Sequence, residues 1–327
     1  MSNFWLNRNV LVTGATGLLG SWMVEELLRR QANIVAIVRD GVPRSKLVLS
    51  GAMQQINIVN GDIEDYRLLE RTLAEYEVSS VFHLAAQTQV LVANRSPLST
   101  LESNVRGTYL LMEACRVNPS VTSIVVASSD KAYGSADHLP YDETTPLRGV
   151  HPYDVSKSCA DLISNSYAHS FGLPVCITRC GNLYGGGDLN WARIIPGTIR
   201  SIVQNQAPII RSDGSLIRDY FYVRDAVDAY LMLAEQMVAK KLRGEAYNFS
   251  NEIQLSVLAL TQKILTLMGR EDLQPVVQGN NRGEIKDQWL SAAKAREQLG
   301  WHPNYELDVA LTETIEWYQD HLARQAA

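Results

Sequence analysis

The stretch "NVLVTGATGLLGSWMVEELLRRQ", residues 9–31, decides the fold. Its opening, "NVLVTG" (9–14), is apolar and β-branched and reads as a strand that ends in glycine. Its close, 18–31, carries apolar residues at helical spacing. Between them Gly14, Gly17 and Gly20 stand at G-x-x-G-x-x-G spacing. Glycines at a strand-to-helix junction let the backbone turn tightly and approach a pyrophosphate, whose charge is favourable at a helix N-terminus. The junction therefore predicts a dinucleotide-binding turn made of Gly14, Thr16, Gly17, Leu18, Leu19 and Gly20.

Outward from this turn, apolar runs alternate with amphipathic ones. Residues 33–38, 56–62, 79–86, 121–127 and 174–179 read as further strands, and 66–76, 98–117 and 153–172 as helices. Near-continuous apolar strands between helices predict a doubly wound parallel α/β sheet covered on both faces. After about residue 180 the alternation loosens into shorter candidates at 193–205, 219–236, 246–250, 256–268 and 306–322. The expected organisation is a cofactor domain over 1–180 and a smaller α/β substrate lobe over 181–327, with some later segments returning to the first sheet.

Composition bounds the rest. The 327 residues are 46% apolar and 20% charged, with a net charge of −5 and no basic run, so nothing draws the chain to nucleic acid or a membrane surface. No apolar stretch reaches the roughly 20 residues that a spanning helix needs. The N-terminal "MSNFWLNRNVLVTG" has no leader pattern, so a cytoplasmic protein is expected. Cys115, Cys159, Cys176 and Cys180 show no metal-site spacing; reduced thiols and no metal are the expectation.

At the end of the second predicted strand, "IVRD" places Arg39 before Asp40. A guanidinium there suits a ribose 2′-phosphate and favours NADP, while Asp40 keeps NAD open. Asp62 and Ile63 follow the third strand beside the adenine, and Leu84, Ala85, Ala86 and Gln87 follow the fourth alongside the cofactor.

Tyr153 and Lys157 lie one helical turn apart in "HPYDVSK" and share a face. A nearby cation favours the phenolate, which takes a proton from a sugar hydroxyl. After the fifth predicted strand comes "ASSDKAYG" (127–134), which sets Asp130 beside Lys131. Such a pair in a loop is usually solvated decoration. This one sits at the carboxyl ends of the strands, where open α/β sheets bind ligands.

Together "TGATGLLG", "HLAAQ", "NVRGT", "YDVSK", "GNLYG" and "RDYFYVRDAVDAY" resemble the extended short-chain dehydrogenase/reductase family over nearly the whole chain. The resemblance implies a Rossmann-type domain, bound NAD(P), a nucleotide-diphosphate sugar as substrate, and a homodimer formed by the helices at 98–117 and 153–172. Asn104 matches the family's structural asparagine. Ser129-Asp130-Lys131 is similar to the variant seen in CDP-glucose 4,6-dehydratases, as are "FW" before the first strand, "GSW" and "GNLYGGGD" with "RIIP". "RDYFYVRD" instead follows the general family.

That likeness implies a division of labour. Tyr153 removes the O4 proton, Lys131 takes the C5 proton, Asp130 protonates the departing O6 hydroxyl, and Ser129 holds O4. Asn182, Arg218 and Arg282 match the family's substrate clamps, with Arg193 a further candidate. The competing readings are a 4-epimerase working through Tyr153 alone, an NADPH-dependent keto-sugar reductase, and a non-catalytic NADP sensor.

Overall fold

Six short runs rich in β-branched residues form strands β1 (Asn9–Thr13), β2 (Asn33–Val38), β3 (Asn57–Asn60), β4 (Ser80–His83), β5 (Ser123–Ala127) and β6 (Val175–Cys180). They are seen in a computed structural model that describes residues 3–136, 138–280 and 285–326. Helix α1 (Leu18–Arg29) follows β1, while α2 (Lys46–Leu49) and α3 (Tyr66–Glu75) flank β3. Beyond β4 lie α4 (Val90–Arg95), α5 (Pro97–Leu101) and α6 (Gly107–Arg116), and α7 (Pro152–Phe171) leads into β6.

The second half contributes β7 (Asn182–Tyr184), α8 (Ile194–Val203), β8 (Ile209–Ile210), β9 (Ile217–Tyr222), α9 (Val223–Lys240) and β10 (Ala246–Phe249). It ends with β11 (Gln254–Ser256), α10 (Val257–Leu267), β12 (Val276–Val277), β13 (Asp287–Gln288), α11 (Ala293–Leu299) and α12 (Leu307–Ala326).

The main sheet has seven parallel strands in the order β10-β6-β5-β4-β1-β2-β3. The chain starts at β1, runs outward to β3, then crosses back to place β4 on the other side of β1. That reversal opens a crevice between the carboxyl ends of β1 and β4, the usual ligand position in such sheets. Both faces are apolar. Val10, Val12, Ala36, Phe82 and Val125 belong to one buried cluster, and Leu11, Val35, Val81, Ile124 and Val126 to the other. A doubly wound Rossmann-type α/β fold is what results.

Smaller sheets build the other side of the crevice. β9 lies between antiparallel β11 and parallel β13, with β7 also paired to β9, and β8 pairs with β12. Two sequence expectations change in detail. The helix expected at 98–117 is interrupted by a π-turn over Glu102–Arg106, a widening that turns the Asn104 side chain toward the backbone of Gln87. The candidate at 219–236 divides at Tyr222 into β9 and α9. All four cysteines are free, and no helix among the described residues is long and apolar enough to cross a membrane.

Candidate active site

The crevice begins at the glycine turn. Gly14 has φ +73°, and a Cβ there would lie 2.7 Å from the Ala85 nitrogen, so β1 and the segment after β4 approach with no room for a side chain. At Gly20 a Cβ would fall 2.1 Å from the Gly14 carbonyl oxygen, which is how α1 seats against the turn. Gly17 is the N-cap of α1 and gives it no side-chain cap, leaving the first-turn amides of Leu18 and Leu19 without an intrahelical acceptor. These features fit a pyrophosphate. Thr16 is half-buried beside them. The Leu84 and Ala85 amides both donate to Thr13 Oγ1 at 3.1 Å, and Ala86 and Gln87 continue the same half-buried wall.

At the far end of β2, Arg39 Nε donates to Asp40 Oδ2 at 2.7 Å. Asp40 raises the Arg39 pKa most among its neighbours, with Asp62 and Glu64 adding to it, so three carboxylates surround this guanidinium. Ile63 is buried and packs where a Cβ on Gly107 would collide with it, at 2.7 Å.

Asn104 joins cofactor wall and catalytic helix. Its Oδ1 accepts from the Gln87 amide (2.7 Å), and its Nδ2 donates to the Gln87 carbonyl (3.1 Å) and to Ser156 Oγ (2.8 Å) on α7. Lys157, one turn beyond Tyr153, donates from Nζ to the Ala127 carbonyl at 2.6 Å, which ties α7 to the end of β5. Burial pulls its ammonium down to about 8. Burial pushes the Tyr153 phenol up to about 12, opposed by Arg193 and by the Ser129 hydroxyl, with Asp130 and Asp154 raising it further. Arg193 is a cation that eases its ionisation.

The 3-10 turn Asp130–Tyr133 that follows β5 is bolted on several sides. Tyr133 donates to Asn248 Oδ1 on β10 (2.7 Å) and accepts from Arg179 Nη1 (2.9 Å), while Ser158 Oγ donates to the Ala132 carbonyl (2.9 Å). Ser129 caps the turn by accepting from the Lys131 amide and donates to Asp130 Oδ1 at 2.9 Å. Asp130 is only 1% exposed, and its Oδ2 is buried with no hydrogen-bond partner. Half-buried Lys131 donates from Nζ to Gln288 Oε1. The pair is thus turned into the protein and not into bulk solvent.

Across the crevice, Arg218 on β9 is buried and donates to the carbonyls of Ile217 (2.9 Å) and Lys286 (3.0 Å). Asn182 starts β7, in register with Tyr220. Arg193 is the N-cap of α8 and pairs with Asp188 at 3.0 Å. Arg282 lies outside the described residues. The structure therefore gathers Ser129, Asp130, Tyr153 and Arg193 electrostatically, with Lys131 joined to β13. Sequence reasoning missed Gln288 and Asp154. Asp154 is buried, with its pKa raised by burial and drawn down by Lys131. Its place next to Tyr153 was the available signal. Gln288 carried none. Among the described residues no group of three or more His, Cys, Asp or Glu could hold a metal.

The family of GDP-mannose 4,6 dehydratases matches residues 11–314. The chain is 32% identical to the CDP-glucose 4,6-dehydratase of Salmonella typhimurium, over 97% of this chain and 92% of that protein. It is 31% identical to the dTDP-glucose 4,6-dehydratase of Streptomyces antibioticus, over 96% and 93%. Among solved structures, the dTDP-glucose 4,6-dehydratase of Streptomyces venezuelae, with NAD bound, superposes with a TM-score of 0.86 at 27% identity, covering 97% of this chain and 98% of that one. The UDP-glucose 4-epimerase of Thermotoga maritima superposes at 0.88 with 26% identity, over 96% and 99%. A glycine turn shaped for a dinucleotide, a tyrosine–lysine helix and full-length likeness agree, and the chain belongs to the GDP-mannose 4,6 dehydratase family.

Proposed function

We propose that this 4,6-dehydratase acts on a nucleotide-diphosphate hexose of the CDP-glucose type, with Ser129, Asp130, Lys131, Tyr153 and Lys157 as its catalytic set. The observation that carries the reading is the buried carboxyl of Asp130, with one oxygen unpartnered, beside Lys131 in the turn that follows β5. An unpartnered buried polar atom is costly and calls for a partner, here the departing hydroxyl. Bound NAD(P) would take hydride from C4 and return it at C6, ending as it began. Tyr153 takes the O4 proton, which yields the 4-keto sugar. Lys131 takes the C5 proton as the C6–O bond breaks, Asp130 protonates the leaving hydroxyl to water, and Lys131 returns its proton to C5. The phenol then carries one proton too many and the Asp130 carboxylate one too few; Ser129, which interacts with both, lies on the path that evens them.

Gly14, Thr16, Gly17, Leu18, Leu19 and Gly20 would hold the pyrophosphate, Asp62 and Ile63 the adenine, and Leu84–Gln87 with Asn104 the nicotinamide half. The expected preference for NADP rests on Arg39. The carboxylates of Asp40, Asp62 and Glu64 around it would oppose a 2′-phosphate, and on that ground we favour NAD. Arg218, Arg193 and Asn182, with Arg282, would clamp the substrate. Residues 1–180 form the cofactor unit and 181–327 mainly the substrate unit, β10 returning to the main sheet. A homodimer through α5, α6 and α7 is supported by Leu98, Leu101, Tyr109 and Leu162, large side chains left exposed on those helices.

The test is to incubate the pure protein with CDP-, dTDP-, GDP- and UDP-glucose, with and without NAD or NADP, and weigh the products. Loss of water from one of them is expected. Unchanged mass with an altered sugar means a 4-epimerase, and turnover that consumes NADPH means a reductase.

A further inference from the structure

We propose that Gln288 is a positioning residue for the elimination step: it aims the Lys131 amine without holding it charged. The inference rests on the role given above to Lys131. Gln288 is completely buried on β13, and its Oε1 accepts from Lys131 Nζ across 157 residues of chain. Its Nε2 is buried on the side of the Tyr141 hydroxyl, whose pKa it lowers by hydrogen bonding, so one amide is set between Lys131 and Tyr141. A buried amide is costly unless its oxygen and its nitrogen both find partners, and two partners fix its orientation.

The choice of side chain matters chemically. Lys131 removes a carbon-bound proton only as the free amine. A carboxylate in the place of Gln288 would stabilise the ammonium and take the base out of action near neutral pH. An amide oxygen favours the ammonium far less than a carboxylate does, since it offers a dipole and no unit charge, and it still directs the nitrogen. The other groups around the turn are already charged or titratable: Asp130 on the turn itself, Tyr153 and Asp154 on α7, Arg218 and Asp219 on β9, and Tyr141. A neutral anchor is the one kind that does not add to this balance.

Gln288 also sits in register with Arg218, whose guanidinium donates to the Lys286 carbonyl two residues earlier. The same short segment therefore holds Lys131 by a side chain and Arg218 on β9 by its backbone.

Two variants test this. Gln288→Glu keeps the shape and adds a charge: kcat at pH 7 falls about 100-fold, a typical general-base loss. Its pH profile moves about one unit or more toward alkali, with KM and bound cofactor unchanged. Gln288→Met removes the acceptor without charge: kcat falls at least about tenfold, the lower end of a misplacement effect, with no alkaline shift. In both, deuterium uptake from solvent at C5 falls in step with kcat. Wild-type kcat and pH profile in both variants overturns the proposal, as does equal loss of melting temperature and cofactor in both without a pH shift. Lys131→Ala separates the levels. If it still eliminates water, the assignment of Lys131 fails; if it stalls while the Gln288 variants stay normal, only the role of Gln288 fails.

Discussion

Lys157 and Lys131 stand on either side of the carboxyl end of β5 and are held by different means. Lys157 reaches back to Ala127 on the adjacent strand, from a helix that also presents Tyr153 four residues earlier. Lys131 reaches Gln288, on a strand of two residues from the far end of the chain. The Tyr153–Lys157 helix is thus anchored within the main-sheet half of the chain, 30 residues apart, and Lys131 by a segment 157 residues away that meets it only once the substrate side has folded against the main sheet. A local anchor survives distant rearrangement, whereas a long-range one reports it.

Two substitutions break the comparison most directly. Tyr153→Phe removes the proton acceptor for O4, and turnover of the sugar nucleotide should fall about 10²–10⁴-fold, the span of a lost general base. With C4 unoxidised, no reduced cofactor accumulates. Lys131→Ala should lower water loss by a similar factor while bound cofactor is still reduced on mixing with substrate, seen as nicotinamide absorbance. Equal loss of both half-reactions in Lys131→Ala would mean that the two lysines serve one step.

What was legible in the sequence follows the same division. The glycine turn, β1, α1 and the Tyr153–Lys157 spacing are local patterns, and each lies within a residue or two of its expected place. The Asp130–Lys131 pair was visible as composition, but its burial was not, because the turn is closed by Asn248, Arg179 and Ser158 from three other elements. Gln288 was invisible for the same reason: β13 is too short to show any periodicity. The π-turn around Asn104 escaped because a single widened turn leaves a helical pattern almost unchanged.

A smaller effect, on stability, sharpens the account of the cofactor half. Gly20→Ala would push a methyl onto the Gly14 carbonyl, so α1 must shift, at a cost of about 1–3 kcal/mol. A lowered denaturation midpoint together with weaker cofactor retention is expected; loss of neither would mean that the turn has slack.

Acid sensitivity should trace to the same half. His83 is buried between Thr13 Oγ1 and Thr108 Oγ1, at 3.0 Å each, and burial draws its pKa from 6.5 to about 3, with Lys157 adding to the effect. The unfolded chain therefore binds the extra proton first, and His83 removes stability as pH falls from 6.5 toward 3. Asp219, raised to about 7 by burial, acts in the opposite sense between 3.8 and 7. Denaturant titrations of wild type and His83→Gln at several pH values isolate the histidine, since Asp219 is common to both. The two curves should converge as pH falls below 6.5, and parallel curves would remove His83 from the acid limb.

The smallest effect on activity is expected at the outer face of α7. Leu162 is 59% exposed on the helix whose inner face carries Tyr153 and Lys157. A charge there, Leu162→Glu, should burden an interface between two copies and yield a monomer by sedimentation. Lys157 is anchored within its own subunit, to Ala127, and Asn104 reaches α7 through Ser156, also within the subunit. Neither contact needs a second copy, so the monomer should keep its cofactor and most of its turnover. A monomer that sheds its cofactor would show that the local anchor of Lys157 is insufficient, and that the contrast with Lys131 is one of degree. A dimer that persists would move the interface away from α7.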